Sequence, residues 1–138
     1  MKREILLLML AITFVNTYAQ TKKITWLSWK NTPVNVKNQL KTIKMFENET
    51  VYSSILEAIK EGDKAFIAVI DIDGDGKPGY AVAYSGSFNC GTAGCSFAVY
   101  EAGGKMRVEL VDHWELIRPA KNGIISSTGK FFPLQPFN

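Results

Sequence analysis

The chain has 138 residues, 46% apolar and 12% aromatic, with 16 lysines and arginines against 13 acids and a single histidine. Enough apolar surface is present to build a core, which argues against extensive disorder, and a formal charge of +3 supplies no electrostatic footprint for nucleic acid. One histidine leaves neither a zinc site of common type nor a Ser-His-Asp triad with independent support.

In chain order, Lys2 and Arg3 precede an apolar run from Ile5 to Val15, which closes on Thr17-Tyr18-Ala19. That is the layout of a secretory signal peptide over residues 1–19, with cleavage expected after Ala19. The run is short of the roughly 20 apolar residues that span a bilayer. Gln20, not a cysteine, follows the cut, so neither a lipid nor a membrane anchor is expected on the mature chain. Residues 20–138 are then a single domain in the periplasm or outside the cell, and losing Lys2, Arg3 and Glu4 takes the charge from +3 to +2.

"ITWLSW", residues 24 to 29, reads as a strand or extended arm with Trp26 and Trp29 as apolar contacts, until Pro33 breaks it. Val36, Leu40, Ile43 and Phe46 then recur at helical spacing, predicting a helix over 35–46. Val51, Ile55, Leu56 and Ile59 predict a second over 50–61, capped by Thr50 and stopped by "EGD". From Lys64 the pattern turns to short strands, "AFIAVIDI", "YAVAYSG", "SFAVYEA", "KMRVELVD" and "HWELIRP". Gly103-Gly104 and Asn122-Gly123 predict tight hairpin turns, and "SSTGKFFPLQPF" predicts one more short strand. The expected fold is α+β, with two N-terminal helices packed on one face of a curled antiparallel sheet of about five strands.

Asp71, Asp73, Asp75 and Gly76 match the first half of the calcium-loop pattern D-x-[DN]-x-[DN]-G-x5-E. Alternate side chains of such a loop converge on one centre, and the carbonyl of Lys77 is expected to add a further oxygen. The pattern is incomplete: its ninth and twelfth positions are Gly79 and Val82, where a bidentate glutamate belongs at the twelfth. The loop is therefore expected to bind calcium weakly, helped by water or by an acid such as Glu101 or Glu109, or else to be a turn in which the aspartates accept backbone N–H groups.

Cys90 and Cys95, the only cysteines, are separated by "GTAG", and in an exported chain they are expected to form a disulfide. A nucleophilic Cys95 would need a helix N-terminus and a histidine base, whereas a strand-like run follows it. His113 is expected on a strand, where its neighbour Asp112 points to the opposite face and cannot orient it.

The block 65–111, "AFIAVIDIDGDGKPGYAVAYSGSFNCGTAGCSFAVYEAGGKMRVELV", resembles a group of small exported bacterial proteins in which an Asp-rich loop between strands is followed by a C-G-x-x-G-C loop and another hairpin. Its Asp loop also resembles those of FG-GAP or VCBS repeats and of EF-hands, although Pro78-Gly79 departs from them. The resemblance implies export, the hairpin and the disulfide. The functional expectation is an exported non-enzymatic binding protein that contacts another protein through the rigid loops between 71 and 95. An inhibitor or immunity protein acting on an envelope hydrolase or toxin would fit. The alternatives are a calcium-binding structural module of the envelope and, third, a small hydrolase using Cys95 or His113.

Overall fold

A computed structural model describes residues 23–102 and 104–135. The expected signal peptide, residues 1–19, lies outside the described residues.

The described chain begins with β1 (Leu27–Ser28) and a 3-10 turn, Trp29–Asn31, before Pro33 opens α1 (Val34–Leu40). A small hairpin follows, β2 (Lys44–Phe46) and β3 (Glu49–Thr50), and feeds directly into α2 (Val51–Lys60). Thr50 caps α2 as expected: its Oγ1 accepts the Ser53 N–H at 3.1 Å, and Ser53 Oγ accepts the Thr50 N–H at 2.9 Å. The first helix ends sooner than its periodicity suggests. The Thr42 hydroxyl donates to the Gln39 carbonyl at 2.7 Å, and the Ile43 carbonyl accepts the Val51 N–H, so residues 43–50 leave the helix for the hairpin.

Five strands follow: β4 (Lys64–Ile70), β5 (Gly79–Ser85), β6 (Cys90–Gly91), β7 (Gly94–Glu101) and β8 (Met106–Asp112). With β1 they form an antiparallel sheet ordered β1-β4-β5-β7, with β6 and β8 both paired to β7. A second 3-10 turn, Trp114–Leu116, replaces the strand expected at "HWELIRP". The chain ends in a separate three-stranded sheet of β9 (Arg118–Ala120), β10 (Gly123–Ile125) and β11 (Phe131–Pro133). Asn122, with φ 58°, makes the β9–β10 turn that Asn122-Gly123 predicts.

The expected arrangement of two N-terminal helices on one sheet of about five strands is thus incorrect. Strand β1 and a 3-10 turn precede the helices, and the strands divide among sheets of six, two and three. The reason is visible along β5. Tyr80 and Val82 join Leu40, Ile43, Val51, Ile55 and Ile67 in a core beneath the helices. Ala81 and Ala83, facing the other way, join Phe97, Val99, Val108, Trp114, Ile117 and Ile124. A sheet buried on both faces needs a second cover, and the C-terminal strands provide it; this is also why β5 reads as an unbroken apolar run. Trp26 closes this second core edge-on to Phe97 and Trp114, at 5.9 and 5.0 Å between ring centroids.

Candidate functional site

Strands β4 and β5 pair from Lys64 with Ser85 to Ile70 with Gly79, so residues 71–78 form the loop of a hairpin. Within that loop Gly74 and Gly76 adopt φ 72° and 80°, the left-handed conformations that wind the chain tightly. Carboxylate oxygens of Asp71, Asp73 and Asp75 come within 4.8 Å of one another. Asp71 accepts the N–H groups of Gly74 and Gly76, each at 3.0 Å, Asp73 that of Asp75 at 3.3 Å, and Asp75 that of Lys77 at 2.7 Å. Backbone donors therefore fix the carboxylates while leaving lone pairs on each of them unused.

The loop is anchored by a residue that sequence reasoning missed. Arg107, buried on β8, pairs with Glu101 at the end of β7 and reaches Asp73 Oδ2 at 3.5 Å. Its Nε also donates to the Gln135 carbonyl at 2.6 Å, and its own carbonyl accepts the Gln135 N–H at 2.7 Å. A β-bulge places it there: Val99 pairs with Val108, but Tyr100 pairs with Met106, leaving Arg107 as the extra residue. The one available signal was a lone arginine inside the apolar run "KMRVELVD", six residues after Glu101 across a turn.

Of the two acids expected to help the loop, Glu101 stands at its foot, opposite Gly79, with its carboxylate on Arg107. Glu109 stands opposite Ala98, further along the strand. Burial, then the neighbouring Asp73, raise the Glu101 pKa, and Arg107 only partly offsets them. Burial also pushes the Asp73 pKa up, but hydrogen bonds from the Asp75 N–H and with Glu101, Asp71 and Asp75 outweigh it and leave the value lowered.

Cys90 and Cys95 form the expected disulfide, at the start of β7. Nearby, Asp63 is buried and accepts the N–H groups of Phe88 and Asn89 and the Asn89 amide, at 3.1, 2.8 and 3.0 Å. Asp112 is likewise buried and accepts from His113 N–H at 2.7 Å, from Ser127 N–H at 2.8 Å and from the Ser127 hydroxyl. Burial opposes its charge, yet these Ser127 and His113 contacts win and lower its pKa. His113 is exposed at the end of β8, not within a strand. Cys95 spends its sulfur in the disulfide, so in this oxidised form it offers no free thiol as a nucleophile.

The aspartate loop and the disulfide loop lie at opposite ends of β5, whose seven residues span about 23 Å at roughly 3.3 Å each. They do not combine into one compact site. No described helix is long and apolar enough to cross a membrane. No protein-family model matches the chain, and no curated protein or solved structure does either.

Proposed function

We propose that the protein is an exported, non-enzymatic binding module whose Asp71–Asp75 loop takes calcium. The observation that carries this reading is the convergence of three carboxylates to within 4.8 Å on a loop already wound by its own N–H groups. Calcium binds oxygens at 2.3–2.6 Å, so ligands on opposite sides of one ion stand about 5 Å apart, and the triplet fits that span. The Lys77 carbonyl and water would complete the six to eight oxygens the ion requires. Softer metals that favour nitrogen or sulfur find no such donors in the triplet. A structural role for the ion fits the exposed, polar position of Asp71 and Asp75 on the hairpin loop.

Binding of a partner protein, as by an inhibitor or immunity protein against an envelope hydrolase or toxin, fits a small stiff scaffold. The separation of the two loops means that such a partner would use one end of the sheet. The aspartate end is favoured, because Asp71 and Asp75 are exposed while the carboxylates of Asp63 and Asp112 near the disulfide are buried.

Isothermal titration of the mature chain with calcium tests the reading. Half-saturation is expected at about 0.1–1 mM, as in extracellular modules, with the heat lost in Asp73→Asn. Absence of calcium-dependent heat in the unaltered protein would remove it.

A further inference from the structure

The near balance of total charge conceals a segregation. Between Glu4 and Glu47 the sequence holds Lys22, Lys23, Lys30, Lys37, Lys41 and Lys44 and no acid. Folding gathers several of these on one face. The Lys37 ammonium lies 4.7 Å from the centroid of the Trp29 ring, and that of Lys41 lies 4.8 Å from the Tyr52 ring. The two rings are themselves in contact, 5.4 Å apart, so the four side chains form a ladder across the α1–α2 surface. Neither Lys37 nor Lys41 has a carboxylate partner among the described residues, where Arg107 makes the ion pairs; Lys41 donates to the neutral Asn38 Oδ1 at 3.3 Å. An aromatic ring holds an ammonium in place without cancelling its charge.

Apolar side chains project from the same surface. Val34 is 70% exposed on the turn of α1 before Lys37 and Lys41, and Leu56 is 43% exposed one turn after Tyr52 on α2. Helical spacing turns Glu57 to a different flank of α2 from Tyr52. The face thus combines lysines without carboxylate partners, two half-buried aromatic rings that pack against the core beneath the helices and are of the kind enriched where membranes meet water, and protruding aliphatic groups. Soluble acidic chains would satisfy the lysines alone, whereas a lipid surface satisfies the exposed Val34 and Leu56 as well.

We propose that this lysine–aromatic face, built from Trp29, Val34, Lys37, Lys41, Tyr52 and Leu56, docks the protein peripherally on a membrane surface rich in anionic phospholipid headgroups. The contact is reversible and electrostatic, with shallow insertion of Val34 and Leu56, and it does not require calcium at the aspartate loop.

Co-sedimentation with vesicles of phosphatidylcholine alone, or of phosphatidylcholine mixed with phosphatidylglycerol, tests this. The mature chain is expected on the mixed vesicles at low salt, with release at high salt and no binding to the neutral ones. K37Q/K41Q should weaken binding about twenty-fivefold, the product of roughly fivefold for each lysine near the surface. Lys121→Gln, on the C-terminal sheet, should bind as the parent does. The exposed K37Q/K41Q substitutions should leave the melting transition intact, which separates lost binding from lost folding. Equal retention on both vesicle types, no retention on either, unchanged affinity in K37Q/K41Q, or capture by soluble polyglutamate as strong as by the mixed vesicles would each overturn the proposal.

Discussion

Both ends of β5 are organised by aspartates, yet the two sets are spent differently. At the disulfide end, Asp63 and Asp112 are buried, and each accepts three hydrogen bonds from neighbouring loops. At the other end Asp71, Asp73 and Asp75 bond to N–H groups within their own loop, and Asp71 and Asp75 remain exposed. A carboxylate whose lone pairs are consumed by buried donors is a structural strut. One that is oriented but only partly satisfied can still take a cation. The distinction lies in the surroundings of each aspartate and not in the residue type.

The largest expected effect contrasts a glycine from each end. A Cβ on Gly94, with φ 119°, would stand 2.4 Å from the Asp112 backbone, so β7 and β8 would have to part. Gly94→Ala should cost about 4 kcal/mol in urea unfolding. Gly76, with φ 80°, has nothing within 4 Å of such a Cβ, and Gly76→Ala should cost only the left-handed penalty of about 1 kcal/mol. Similar costs at the two positions would erase the contrast.

Arg107→Met comes next. It leaves Glu101 buried without its cation and frees the foot of the aspartate loop, at about 3 kcal/mol by the same measurement. Burying an acid without a partner is costly; adding Glu101→Gln to Arg107→Met should recover part of the loss.

The smallest effects are in pH dependence, and they carry opposite signs. Asp112 holds a lowered pKa, so its stabilisation is whole above the ordinary carboxylate range and is lost as pH falls through the folded value. Glu101 holds a raised pKa, so its contribution is present at low pH and fades as pH rises through the folded value. Melting curves across pH should therefore show a shallower acid limb in Asp112→Asn and a shallower loss on the higher-pH side in Glu101→Gln.

Much of this was legible in the sequence, for identifiable reasons. The second helix, the β4–β5 and β7–β8 hairpins, the Asn122-Gly123 turn and the disulfide each rest on local signals: a cap, an apolar run, a turn pair, two cysteines. Strands of two or three residues, such as β1 and β10, are too short to show any period, so the three-sheet layout was hidden. The aspartate triplet was legible because its spacing is itself the signal. Its support by Arg107 was not, since that depends on a bulge and on a contact to a residue 34 positions away. Placing 71–78 and 90–95 at opposite ends likewise required the register of β5 between its neighbours.

The most direct measurement is thermal melting with and without calcium at about 10 mM, well above the weakest affinity expected of such loops. The parent chain should melt higher with calcium, the rise should vanish in Asp73→Asn, and it should persist in C90S/C95S, where only the opposite end is altered. A melting temperature that calcium does not move, or a rise that Asp73→Asn leaves intact, would contradict calcium binding at the aspartate end.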